Sequence, residues 1–443
     1  MYLQTTIKKT NVMRTLLLIV AICLIAACSR QPAKQSTTNI NALAQQYVRL
    51  GLTISLYDAD FVDAYYGPGS LKPAAKPAAV FPKDSLLNAV HELTAALQAL
   101  HDTSDTVAQR AAWIAAQLKA FERRIKIYAG DTAGFDEEAK DLYGVTAPVY
   151  DSLHYREIIA KLDHLLPGSG SINDRFQELA NRFIIPKDKL DTVFKTAIAA
   201  CRERTLQHYD LPKEESFILE YVTNKPWSGY NWYKGNYKSV IQINTDLQIF
   251  IDRAIDVGSH ESYPGHHVYN MLLEKNLYRE KGWVEISLYP LFSPQSLIAE
   301  GSANYGIDVA FPGQEKVAFA RQTLLPLAGL DTTGISRYFA ALELKGALNY
   351  ARNEVGRGLL GNTMSEAQAM QWLKDYCLMN DETARKSVDF IRRNRSYVIN
   401  YNYGKDLVAQ YISAKGGDVS PDKKWQVFGA LLSNEILTTE LLQ

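Results

Sequence analysis

Cysteine is scarce in this chain, four residues in 443, so a disulfide framework cannot be what organises it. Charge of one sign is lacking as well: 48 lysines and arginines balance 48 aspartates and glutamates. That balance gives no reason to expect a nucleic-acid partner or an anionic membrane surface. Beyond the N-terminus no apolar run is long enough to span a bilayer, and no solenoid-type repeat recurs. Hydrophobic content of 47% and charged content of 22% are those of an ordinary soluble globular protein. The length permits a large core in several domains or in one helical body.

The N-terminus has a separate character. Lys8, Lys9 and Arg14 precede an apolar stretch from Leu16 to Ala27, closing on Leu24-Ile-Ala-Ala-Cys28. A basic start, a short apolar core and small residues before a cut make a secretory signal, which also reads well from Met13. The position of Cys28 resembles a bacterial lipobox. That resemblance implies cleavage before Cys28, lipidation of its thiol, and a membrane anchor in the bacterial cell envelope, at the outer membrane or facing the periplasm. Residues 1–27 are then signal, and 28–40, polar and holding Pro32, a flexible tether. Residues 41–443 form the working domain, with Cys201 and Cys377 as its remaining thiols, free to pair or not.

Helical periodicity dominates 41–212. Leu43, Tyr47, Leu50 and Ile54 recur on one face, as do Leu86, Val90, Leu93 and Leu97, and Ala111, Ile114, Leu118 and Phe121. Lys187 to His208 reads as a further amphipathic helix. The texture then changes. Ser216–Val222 and Tyr237–Ile243 are rich in β-branched and aromatic residues, so a hairpin or small sheet is expected there. Between them Lys225–Asn236, with Trp227, Tyr230, Trp232 and Tyr233, reads as a loop over a cleft or a packed turn. Helical pattern resumes from Asp246 to the end. The expected fold is mainly α with a small β-sheet, a helical part 41–212 preceding a site-bearing part 213–443.

Three of the eight histidines crowd into His260-Glu261-Ser-Tyr-Pro-Gly-His266-His267, and Ala299-Glu300-Gly301 follows forty residues later. Two imidazoles and a carboxylate, with one open position, suit a catalytic zinc ion. A regular helix would not assemble them. Six residues apart, His260 and His266 would diverge by about 120°, and His267 would stand about 10 Å along the axis. Pro264-Gly265 offers the remedy: proline removes an amide donor, glycine tolerates unusual dihedrals, and a local bulge can return His266 to the site. His260 and His266 are therefore the expected ligands, with His267 as alternative to His266 or as a supporting group. Glu261, beside His260, is the expected general base. Glu300, among the small residues Gly301, Ser302 and Ala303, is the expected third ligand from another helix.

These two motifs, His-Glu-Ser-Tyr-Pro-Gly-His-His and Glu-Gly-x-Ala-x-Tyr, resemble a bacterial domain-of-unknown-function family, number 885, grouped with the zinc peptidases whose third ligand is glutamate, the gluzincins. The resemblance implies a mostly helical fold with a deep cleft, zinc at its floor, and hydrolysis of a peptide substrate. By matched position it supports His260, His266 and Glu300 as ligands and Glu261 as base. The chain departs from the family's second motif at Ser302, where tryptophan is usual, and at Ile307, where a glutamate is usual.

A donor for the oxyanion of the tetrahedral intermediate is also required. The run Arg395-Ser-Tyr397-Val-Ile-Asn-Tyr401-Asn-Tyr403-Gly404 supplies candidates. The resemblance implies a tyrosine before a glycine, hence Tyr403 first, then Tyr401 or Arg395. Asn304 and Tyr305 are candidates for packing on the metal helices. Tyr237–Asn244 is a candidate edge strand for an extended peptide. Two other functions stay in competition: an envelope scaffold lipoprotein with a structural metal, and a zinc hydrolase of some other amide or ester.

Overall fold

Helices form where apolar residues recur on one face. In Ile40–Ile54, Leu43, Tyr47, Leu50 and Ile54 are buried, and the Tyr47 ring stacks on Phe121 at 5.0 Å from the long helix Asp105–Tyr128. Lys83–Gln98 buries Leu86, Val90, Leu93 and Leu97. Helix starts are marked by side chains that satisfy free amides: Asp151 accepts from Leu153 and His154, and Ser365 with Gln368 closes a capping box. In this computed structural model the described residues are 39–74, 76–100, 104–225 and 227–442. The signal, Cys28 and the tether as far as residue 38 lie outside them.

The fold is mainly α with two small sheets. Strand β1 (Val62–Tyr65) pairs antiparallel with a strand far along the chain, Leu288–Pro290. The second sheet contains β2 (Ser216–Val222), β3 (Gly229–Gly235) and β4 (Lys238–Asn244) in the order β2-β4-β3. Two sequence expectations change here. The segment read as a loop holds β3, in which Asn231, Tyr233 and Gly235 are buried and the residues between them are less so, as alternation in a strand requires. And β4 is central, parallel to β2 and antiparallel to β3, so its backbone is not free to pair with an extended peptide.

One hydrophobic core runs from Ile40 to Leu441 and draws on residues before and after 212, within the single unit Ile40–Gln443. A smaller cluster gathers Tyr155, Leu348, Val355, Leu373 and Val388. Cys201 and Cys377 are separate buried thiols, each pushed up to about 12 by burial. No helix among the described residues is long and apolar enough to cross a membrane.

Candidate metal centre

The helix Ile251–Glu261 stops one residue after His260. The Tyr263–Pro264 bond is cis, and a new helix begins at His266 and runs to Leu273. Gly265 is indispensable to this break, because a Cβ there would lie 2.0 Å from the His260 carbonyl oxygen and 2.4 Å from that of Ser259. The Gly265 amide donates to the Ser259 carbonyl at 3.1 Å, folding the chain back on itself. His260 and His266 thereby meet, their Nε2 atoms 3.1 Å apart.

Glu300 arrives on the helix Pro294–Ala310, which starts at the Ser293 cap with Pro294 in its first turn and is buried almost all round. Two glycines let its neighbours approach. A Cβ on Gly301 would stand 2.4 Å from the carbonyl oxygen of Gly404, on the helix Tyr403–Ala414. A Cβ on Gly306 would stand 3.2 Å from Pro264 Cγ, so the break in the histidine motif seats on the glutamate helix. Glu300 Oε2 then lies 3.4 Å from His260 Nε2 and 3.7 Å from His266 Nε2.

These separations fit a single ion. Three donors about 2.0–2.2 Å from a tetrahedral zinc are about 3.3–3.5 Å apart, and the observed values of 3.1, 3.4 and 3.7 Å straddle that range. Glu300 Oε2 is buried without a hydrogen-bond partner, whereas Oε1 accepts from the Tyr397 hydroxyl at 2.9 Å. The His260 tautomer is also set. Asn304 Nδ2 donates to the Tyr401 carbonyl at 3.3 Å, so its Oδ1 faces His260 Nδ1 at 3.1 Å and must accept a hydrogen bond from the Nδ1–H. That leaves the Nε2 lone pair for a cation. The donor set, two imidazole nitrogens and a carboxylate oxygen, suits zinc. Each side chain retains 10–15% exposure, so the trio communicates with solvent.

Electrostatics tie the group together. Burial opposes charge on His260, but the charges of Glu261 and Glu300 outweigh it and push its pKa up to about 9. Burial likewise opposes charge on Glu300, yet the imidazoles of His260 and His266 beside it hold it well below the usual carboxylate range. For Glu261 burial wins over the two imidazoles, and its pKa is raised. The Glu261 carboxylate lies against Gly229 of β3, where a Cβ would be 3.2 Å from Oε1, and its carbonyl accepts from Asn231 Nδ2 at 2.6 Å.

His267 turns away. It is fully buried, with Nδ1 2.8 Å from Ser239 Oγ and Nε2 3.1 Å from Glu215 Oε2. Glu215 also accepts from the Tyr263 hydroxyl at 2.5 Å, so His267 and Tyr263 brace the break from behind. The structure thus groups His266, and not His267, with His260.

The tyrosine run divides its tasks. Tyr397 bonds to Glu300. Tyr401 is close enough for its ionisation to be opposed by both Glu300 and Glu261, on top of burial. Tyr403 starts its helix with its amide on Asn402 Oδ1 at 2.6 Å. Its electrostatic neighbours are Tyr150 and Asp406, so it is not gathered with the trio. Arg395 is committed to Glu138 at 2.5 Å. Sequence reasoning missed Tyr397 as the Glu300 partner and missed Asp63 altogether. Burial pushes the Asp63 pKa up to about 6, a bond from Tyr230 opposes this, and His266, Glu300 and Glu261 are its charged neighbours.

Neither a family model nor a curated protein matches the chain. Among solved structures it is similar to a candidate lipoprotein from Colwellia psychrerythraea, with a TM-score of 0.51 at 13% identity over 80% of this chain. The chain spans 65% of that protein's length. A candidate lipoprotein of unknown function from Shewanella oneidensis is similar at TM-score 0.46 and 14% identity, over 82% of this chain and 70% of that one. The likeness to the Colwellia protein is one of fold.

Proposed function

We propose that this chain is a zinc-dependent peptide hydrolase, held in the bacterial cell envelope by a lipid on Cys28. The observation that carries the reading is the His260–His266–Glu300 trio, its atoms at zinc-like separations, with Glu261 beside it. When bound, zinc acidifies water to a pKa of about 7 and polarises a carbonyl. Glu261, its carboxyl raised by burial, takes a proton from the attacking water and returns it to the leaving amine. Tyr401, kept protonated by burial, donates to the developing oxyanion in place of Tyr403, whose electrostatic neighbours are Tyr150 and Asp406. Tyr397 steadies Glu300, and Asn304 steadies His260.

A purely structural ion needs a closed ligand set; the residual exposure of the trio and the unligated Glu261 favour catalysis. The description of the Colwellia protein as a candidate lipoprotein accords with the signal and lipobox pattern at Cys28. The test is a peptide-library assay of the mature protein and its Glu261→Gln variant, with zinc measured in both. The expected outcome is retained zinc and a loss of roughly 100-fold or more in turnover. Normal turnover in the variant removes Glu261 from the mechanism. Zinc with no peptide turnover but hydrolysis of acyl-amino acids or esters moves the substrate class.

A further inference from the structure

Asp63 is a carboxylate at the site to which hydrolysis assigns no task. It sits where β1 loses register with its partner strand, between Val62, opposite Pro290, and Ala64, opposite Tyr289. Such a bulge re-aims a side chain, and bulges recur beside functional sites. Asp63 accepts a hydrogen bond from the Tyr230 hydroxyl. Tyr230 follows Gly229, the residue lying against Glu261, and its ring packs against Trp227 at 5.1 Å and Trp232 at 4.5 Å.

The charges around Asp63 are those of the metal centre: His266, Glu300 and Glu261. No lysine or arginine among the described residues pairs with it. An ionised carboxylate half-buried beside two others is costly unless it meets a cation. One phenol fills one of its roughly four acceptor sites. The cation that a peptide brings to such a position is its own α-ammonium group, a compact donor of three hydrogen bonds.

We propose that Asp63, oriented by Tyr230, anchors the free α-amino group of the substrate, so that the protein removes one or two residues from a peptide's amino end. The inference rests on the peptidase reading and narrows it. An extended residue spans about 3.3–3.6 Å, so an amino group held beside the centre lies close in sequence to the bond cleaved.

The test uses zinc-loaded Glu261→Gln protein, which binds without turnover, and calorimetry with Ala-Phe-Ala and its N-acetylated form. The free amine should bind at least tenfold more tightly. Adding Asp63→Asn should bring the two peptides to within about twofold with zinc content unchanged, and adding Tyr230→Phe should narrow the ratio partway. Equal binding of the two peptides, no binding of either, an unchanged ratio in the Asp63→Asn protein, or zinc lost on that substitution overturns the anchor. Wild-type turnover then separates the two ideas. Internal cleavage of acetylated peptides sinks the anchor alone, whereas amine-selective binding without turnover of any peptide sinks the peptidase reading and leaves the anchor standing.

Discussion

Replacing Asn304 by leucine would test the geometry of the metal centre at a residue that touches no metal. Asn304 bridges His260 Nδ1 at 3.1 Å and the Tyr401 carbonyl at 3.3 Å. Leucine keeps much of the volume and removes both bonds. Losing a partner that fixes ligand tautomer and ring orientation typically weakens metal affinity about 10–100-fold, or about 1.4–2.7 kcal/mol. In the metal-free protein His260, raised to about 9, is charged at neutral pH, so its bond to Asn304 is worth about 1.5–3 kcal/mol of folding stability and the bond to the Tyr401 carbonyl about 0.5–1.5 kcal/mol. Competition with a chromophoric chelator reads the first loss, and thermal unfolding of the metal-free protein reads the second. Asn304→Asp separates the two effects further, since its carboxylate can still accept from His260 Nδ1–H but cannot donate to Tyr401. It should hold zinc at least as well as the parent while remaining less stable. Zinc affinity within twofold of the parent in the leucine variant would refute the Nε2 assignment of His260.

Gly301→Ala would drive a methyl to 2.4 Å from the Gly404 backbone oxygen, and overpacking of this kind costs about 1–3 kcal/mol. By shifting Glu300 it should also weaken zinc binding, whereas Gly346→Ala, with nothing within 4 Å of its Cβ, should leave both unchanged or add up to about 1 kcal/mol; paired melting curves and chelator titrations decide. In the metal-free protein His260 is raised to about 9 from an ordinary value of about 6.5. A raised folded-state pKa means its stabilisation is complete below about pH 6.5 and is lost as pH climbs through 9. Melting temperatures of chelator-treated protein should therefore fall across that window, and His260→Gln should flatten the fall; a flat parent curve would count against the His260–Glu300–Glu261 coupling.

Much of the fold was legible because amphipathic helices advertise themselves. Leu86, Val90, Leu93 and Leu97 recur every three to four residues and all are buried in one helix. The Pro264–Gly265 break was legible too, since both residues carry backbone consequences wherever they stand. Strand β3 was harder. Glycines at both ends made it look like a loop, although the alternation of Asn231 and Tyr233 with Tyr230 and Trp232 was a strand signal. The centrality of β4 was not legible at all, because strand order depends on pairing across 22 positions between β2 and β4. Nor could the run Tyr397–Tyr401–Tyr403 say which hydroxyl meets Glu300; that depends on how the turn Arg395–Asn400 docks on a helix a hundred residues earlier. Asp63 had no local signal, since its meaning comes only from the bulge against Tyr289 and Pro290 and from Tyr230.

The central claim is that His260, His266 and Glu300 hold one zinc ion. Elemental mass spectrometry of the mature protein, purified without chelators and supplied with zinc, tests it directly against four variants. The expected result is about one zinc per chain in the parent and in His267→Ala, and loss of that zinc in His260→Ala, His266→Ala and Glu300→Ala. A zinc-free parent, or zinc that survives His266→Ala and departs with His267→Ala, would contradict the account.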